Sequence, residues 1–224
     1  MPLFNLLHTV PTVRRDVTAR LRDKERNRAA ALRFGREYFD GAREQGYGGY
    51  HYDGRWQAVA RTAQERYGLG AGQRVLDIGC AKGFFVHDLL RTVPGLDAVG
   101  LDISSYALAA ADPAVRDRLL LGNAVSLPFP DQSFDAVFAI NTLHNLDGEE
   151  LRKALGEIRR VVRDPRQCFI QVDAYRDEAE RELFEAWMLT AKTYCTPDQW
   201  QALFEQAGYR GDYFWTILEL ETSA

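Results

Sequence analysis

The stretch VLDIGCAKGFF, residues 75–85, is an apolar run that breaks into a glycine-containing turn and then into a helical pattern. A buried strand followed by such a turn brings backbone N–H groups to the strand's carboxyl end, where open α/β sheets receive nucleotide-bearing ligands. Two phosphate-binding turns do not fit. A dinucleotide fingerprint needs G-x-G-x-x-G, and here Gly79, Ala81 and Gly83 are followed by Phe84 and Phe85. A P-loop needs its lysine after the last glycine, whereas Lys82 precedes Gly83.

On either side, short apolar runs alternate with helical patterns, as in βαβ units around a parallel sheet. Strands are expected at 74–79, 97–102, 118–124, 134–141, 167–174 and 212–221, and helices near 83–93, 104–111 and 148–163. In TPDQWQALFEQAGY, Thr196 is suited to cap a helix opened by Pro197 and closed by Gly208. Before the sheet, residues 14–39 are rich in Arg and Ala and read as one basic helix. Such a helix is either a solvated face, an anion-facing arm or a dimer contact. The run GYGGYHYDGRW, residues 46–56, has no apolar period and joins glycines to aromatic rings with polar tips. It reads as a core plug or as a lid over a small-molecule site. The expected division is therefore an arm and lid over 1–56 and a sheet domain over 57–224.

The chain has 224 residues and a formal net charge of -4, so it offers polyanions no whole-molecule attraction. Three widely spaced cysteines, Cys80, Cys168 and Cys195, lack metal-ligand spacing and suit a reducing compartment. The opening MPLFNLLHTVPTV is a poor signal peptide, and no apolar run reaches the length of a membrane span, so a cytoplasmic address is expected.

With Asp77, Gly79, Ala81 and Gly83 in the first turn, the sequence resembles the class I S-adenosylmethionine-dependent methyltransferases, alanine standing for the middle glycine of their motif. That replacement is mild if the turn needs no positive φ there. GLDIS places Asp102 nineteen residues past Gly83, where an acid accepts both ribose hydroxyls, a position that a Rossmann dehydrogenase shares. The run GNAVSLPFPDQSFDAVFAINTLHNL, 122–146, resembles the family's adenine turn and fourth strand. The resemblance implies a Rossmann-like three-layer α/β sandwich, mostly parallel with an antiparallel last strand, plus an N-terminal helical extension. It implies S-adenosylmethionine as methyl donor, S-adenosylhomocysteine as product, and no metal. Asp77, Gly79, Cys80, Ala81, Gly83, Asp102, Ile103, Asn123, Ala124 and Asn141 are then the cofactor contacts, with Asn123 and Ala124 at the adenine and Asn141 beside the methionine end.

Methyl transfer from a sulfonium is an in-line displacement that needs alignment, and a base only when the acceptor must lose a proton. Tyr47, Tyr50, Tyr52, Arg55 and Trp56 are candidate lid and substrate contacts, with Tyr175 and Tyr194, and with Trp187 and Lys192, on a facing wall. His51 and His144 are the candidate bases, since imidazole titrates near working pH. An NPPY or DPPY tetrapeptide, which marks base-amino methyltransferases, is absent after the fourth strand, where NTLHNL stands. A small anionic acceptor is the leading expectation. The whole chain resembles bacterial methyltransferase-like proteins of the surface-polysaccharide type, which leans toward a phosphorylated or nucleotide-linked sugar. A protein or RNA methyltransferase and a non-catalytic cofactor-binding partner remain the competing classes.

Overall fold

The computed structural model describes residues 1–11 and 17–218. Strands β1 (Arg74–Ile78), β2 (Asp97–Asp102), β3 (Leu119–Leu121), β4 (Ala136–Ile140), β5 (Cys168–Ala174) and β6 (Asp212–Ile217) form one sheet in the order β3-β2-β1-β4-β5-β6. Their order reverses between β1 and β4, which opens a crevice beyond the carboxyl ends of those strands. The strands read as nearly continuous apolar runs because both faces are covered. Leu76, Val99, Val137 and Ile170 meet α8 (Gly148–Val161) and α10 (Pro197–Gln206) on one face. Val75, Ala98, Phe138 and Phe169 meet α4 (Trp56–Tyr67) and α5 (Phe84–Thr92) on the other, joined by the fully buried Leu6. Capping boxes open α8, through Asp147 and Glu150, and α10, through Thr196 and Gln199.

The last strand corrects the sequence expectation. β6 runs parallel to β5, with Phe169 opposite Asp212 and Ala174 opposite Ile217. A parallel return needs a long crossover, and residues 175–211 supply one through α9 (Glu178–Trp187) and α10. α10 delivers the chain to the amino end of β5 at Gly211, where a Cβ would collide with the Cys168 carbonyl. The outer edge of β6 is then closed by the chain's own first residues. Phe4 N–H donates to Tyr213 O at 3.0 Å, and Tyr213 N–H donates to Pro2 O at 3.3 Å. The part of the expected strand over 219–221 lies outside the described residues.

The single basic helix is also corrected. The arm consists of α1 (Thr18–Leu21), α2 (Lys24–Ala31) and α3 (Arg36–Asp40), while Arg14 and Arg15 lie outside the described residues. Asp23 leaves helical geometry at φ -150°, and Phe34 turns left-handed at φ 47°, so the helical path breaks at both places. The breaks serve a tertiary purpose. Arg20, Lys24 and Arg28 form one stripe that donates to carbonyls at and beyond the end of α9: Arg20 to Trp187 O at 2.7 Å, Lys24 to Ala186 O and Met188 O at 2.5 and 2.6 Å, and Arg28 to Ala191 O at 3.3 Å. Burial, then the Arg20 and Arg28 charges, bring the Lys24 ammonium down to about 8. These cations hold the arm onto α9 at a helix carboxyl end, where positive charge is favoured.

Candidate functional site

β1 ends in the turn that carries the first motif. Gly79 sits at φ 77°, and a Cβ there would collide with Thr142 Oγ1 from the β4 side of the crevice. Ala81 also lies in the left-handed region, at φ 51°, so the turn does need a positive φ where the motif has exchanged glycine for alanine. That conformation costs a non-glycine residue about 1–2 kcal/mol. The Ala81 methyl offsets part of it by packing in an apolar cluster with Phe39 and Ala107. Gly83 then caps α5, against Leu119.

Asp102 ends β2 and braces this turn. Its Oδ2 accepts from Ala81 N–H and its Oδ1 from Ser104 N–H, both at 2.7 Å. Burial raises this carboxyl, and those backbone donors oppose the rise. Asp77 is 4% exposed and accepts no hydrogen bond from the described residues; burial, then the Asp102 charge, push it up to about 8. The Cys80 thiol is buried and raised by desolvation, so it stays protonated and unreactive.

Two adjoining hollows open over these carboxyl ends. The smaller, about 150 Å³, is lined by Asp102, Ile103, Asn123, Ala124 and Asn145. The larger, about 610 Å³, is lined by Asp77, Cys80, Tyr50, Trp56, His144 and Asp173, among others. Tyr38, Tyr47, Gly79, Ala81, Asn141 and Thr190 belong to both. Asn141 is held at φ 53°, its N–H donating to Gln171 O at 2.9 Å, so the junction contains a strained residue.

The aromatic run 46–56 covers the junction. Tyr47 and Tyr50 lie 4.6 Å apart, and Tyr50 stacks on Phe84 of α5 at 4.9 Å. Trp56 meets Phe85 at 5.5 Å, and exposed His51 also lines the larger cavity. A buried ion pair anchors the covering segment: Lys82 Nζ donates to both Asp40 oxygens at 2.7 Å, and Asp40 also accepts from Tyr106 Oη and Tyr50 N–H. Burial pushes the Asp40 carboxyl up, yet these donors bring it below its ordinary value.

Four sequence candidates lie outside both hollows: Gly83, which instead caps α5, and Tyr52, Tyr175 and Tyr194. Tyr52 turns onto α5, where its hydroxyl donates to Asp88 Oδ1 at 2.7 Å. Tyr175 and Tyr194 pack against Phe184, in the core beneath α9. Arg55 reaches the cavity but is paired with Asp53 at 2.5 Å, and Lys192, beside the smaller hollow, is paired with Glu150 at 2.9 Å. Trp187 does line the larger cavity, with the Arg20 guanidinium 3.5 Å over its ring and that of Arg43 at 5.4 Å. His144 is 3% exposed, and burial lowers its imidazole while Asp173 opposes that effect.

The Lys82–Asp40 anchor, Arg20, Arg43 and Asp173 are functional candidates that the sequence reading missed. For Asp173 a signal existed: an acid at the carboxyl end of an expected strand. Among the described residues no group of three or more His, Cys, Asp or Glu side chains converges as a metal site, and no helix is long and apolar enough to cross a membrane.

Comparison with known proteins places this geometry. Residues 76–170 match the family model of a methyltransferase domain. The chain is similar to the demethylmenaquinone methyltransferase of Roseiflexus sp. strain RS-1, at 37% identity over 116 residues, covering 50% of this chain and 46% of the relative. It is also similar to an O-methyltransferase of Aspergillus nomiae, at 32% identity, covering 48% and 49%. The chain thus spans about half the length of these curated relatives. Among solved structures, the complex of the Haloferax volcanii Trm112 methyltransferase activator with a methyltransferase contains a chain that aligns with TM-score 0.54 and 25% identity over 68% of each chain. Residues 76–170 thus resemble a methyltransferase domain, set in a six-stranded Rossmann-like sheet.

Proposed function

We propose that this chain is an S-adenosylmethionine-dependent methyltransferase that acts on a small molecule. The carrying observation is the pair of adjoining hollows: one flanked by the acid that ends β2, the other lined by aromatic rings, with Asn141 at their junction. The residues present fit the cofactor. Asp102 keeps lone pairs for ribose hydroxyls after bracing the turn, and Ile103, Asn123 and Ala124 flank the space for the adenine. Asp77 is a buried acid without a donor, suited to the ammonium of the methionine end. When bound, the cofactor supplies an activated methyl group. The chain's part is to align the acceptor, exclude water with the segment 46–56, and take a proton where the acceptor has one to lose. In this reading residues 1–56 are the arm and lid.

Asp77 makes a pH-dependent prediction. Near pH 7 its carboxyl is mostly protonated in the free protein, and an ammonium beside it favours the ionised form. S-adenosylhomocysteine binding should therefore release a proton near pH 7 and strengthen as pH rises from 6 to 8. Calorimetry in buffers of differing ionisation enthalpy measures that release. Release near zero, with affinity flat in pH, would remove Asp77 from the ammonium site.

The inward use of Arg20, Lys24 and Arg28 supports a small acceptor over RNA, and an intramolecular role for the arm over a dimer contact. The relatives named for demethylmenaquinone and as an O-methyltransferase support a small acceptor as well. Arg20 donates to the Trp187 and Gly46 carbonyls and Arg55 pairs with Asp53, so much of the positive charge lining the larger cavity is taken up within the chain, which favours an acceptor with a largely neutral body. A phosphorylated or nucleotide-linked sugar, as a surface-glycan precursor, is the second reading. It is favoured by Arg43, whose guanidinium, among the described residues, donates to the carbonyls of Gly46 and Tyr47 and to no carboxylate. Methyl-labelled donor offered with simple phenols, sugar phosphates, nucleotide sugars, RNA and protein separates these readings. Label in a small molecule is the expected result; label only in RNA or protein contradicts it.

A further inference from the structure

The cavity wall contains one acid whose backbone is gripped by side chains on both sides. Asp173, near the end of β5, donates its N–H to His144 Nδ1 at 3.2 Å and accepts Trp200 Nε1–H on its carbonyl at 3.0 Å. Trp200 is fully buried and His144 nearly so, and the strand is further fixed by pairing with β6, where Asp173 faces Thr216. His144 is itself fixed, its carbonyl accepting from Lys192 and Thr193 N–H at 2.9 and 3.0 Å. Two buried side chains thus set the position of one carboxylate, which lines the 610 Å³ cavity with Gln171, Phe214 and Thr216.

The same contacts assign the imidazole. A neutral ring has one donor and one acceptor nitrogen. The Asp173 N–H points at Nδ1, so Nδ1 is the acceptor and Nε2 carries the hydrogen, 3.7 Å from Asp173 Oδ2. In that tautomer the lone pair needed of a base is already engaged by the backbone. Of the other cavity acids, Asp77 belongs to the cofactor's ammonium in the reading above.

Resting on that reading, we propose that Asp173 is the catalytic proton acceptor for a phenolic or enolic hydroxyl, and that His144 is a positioning residue. A hydroxyl of that acidity suits a carboxylate base, and the rings of Tyr50, Trp56, Trp187 and Phe214 suit a flat apolar body. The acceptor oxygen forms its bond to the methyl carbon as the O–H bond breaks and its proton passes to Asp173. The electron pair of the broken carbon–sulfur bond stays on sulfur, so the sulfonium becomes a neutral thioether and Asp173 a neutral acid.

The test uses the full chain with phenol, catechol and hydroquinone as probes, and measures S-adenosylhomocysteine affinity for every variant. Asp173→Asn should lower turnover of the best probe at least a hundredfold, with cofactor affinity within about threefold of the parent. His144→Gln should lower it about tenfold and leave the acidic limb of the pH profile in place. Nitrogen-15 spectra of the His144 ring should show a protonated Nε2 and a bare Nδ1 from pH 6 to 8. A protonated Nδ1, or a His144→Gln loss as deep as that of Asp173→Asn with the acidic limb abolished, would make His144 the base and overturn the assignment. A protein that binds S-adenosylhomocysteine yet neither binds nor methylates any of the three probes overturns the acceptor class. One that binds no S-adenosylhomocysteine overturns the underlying reading instead.

Discussion

Replacing Asp102 with alanine is expected to weaken S-adenosylhomocysteine binding about a hundredfold. In the proposed function the carboxylate at the end of β2 accepts the ribose hydroxyls, and each hydrogen bond to a charged group contributes about 1.5–3 kcal/mol. Losing two such bonds, even at the low end of that range, reaches the roughly 2.8 kcal/mol that corresponds to a hundredfold. The variant also loses stability, because Ala81 and Ser104 N–H groups are buried donors to that carboxylate. Each orphaned donor costs about 1–3 kcal/mol, so calorimetry belongs well below the variant's own midpoint. Asp102→Asn separates the two effects, since one oxygen remains for one of the donors. It should regain part of the stability and little of the affinity. Parent-like affinity in both variants would take Asp102 out of the cofactor site.

The second large effect is expected at the ion pair that anchors the covering segment. Lys82 and Asp40 side chains are 7% and 18% exposed, and removing one member of such a pair strands the other's charge. Lys82→Met should therefore loosen the arm by about 3 kcal/mol, towards the low end because Asp40 keeps its bonds from Tyr106 and Tyr50. Amide exchange over 36–50 should accelerate about a hundredfold while the strands stay protected. Combining Lys82→Met with Asp40→Asn should recover part of the loss, the mark of direct coupling. Asp40 is held below its ordinary value, so its contribution is present above the unfolded carboxyl's pKa and fades as pH falls through the folded one. The arm should open first in acid. Unchanged exchange over 36–50 in Lys82→Met would make the pair incidental to the lid.

The residues whose placement was legible in sequence are those whose positions follow from local order. β1 and β2 stand out because both of their faces are buried, which leaves unbroken apolar runs. Asp77, Gly79, Asp102 and Asn123 could be named because the turns that carry them follow directly from those strands. Direction in β6 was not legible, because it depends on where α10 delivers the chain and on residues 2–4 closing the outer edge. The arm's breaks were hidden for a similar reason. Arg20, Lys24 and Arg28 look like an ordinary solvated stripe until α9, more than 160 residues later in the chain, presents its carbonyls. Arg55, Lys192 and the basic helix suggested an anionic acceptor, but pairing with Asp53 and Glu150 engages Arg55 and Lys192 locally. The run 46–56 packs within the fold and also lines the cavity: Tyr47 and Tyr50 do both, while Tyr52 is drawn away to Asp88.

The central claim is that the crevice at the carboxyl ends of β1, β2 and β4 holds S-adenosylmethionine. Calorimetric titration of the full chain with S-adenosylmethionine and S-adenosylhomocysteine, with NAD as control, tests it most directly. One site for each sulfur nucleoside and no heat with NAD is the predicted result; binding of NAD alone, or of none of the three, would contradict it.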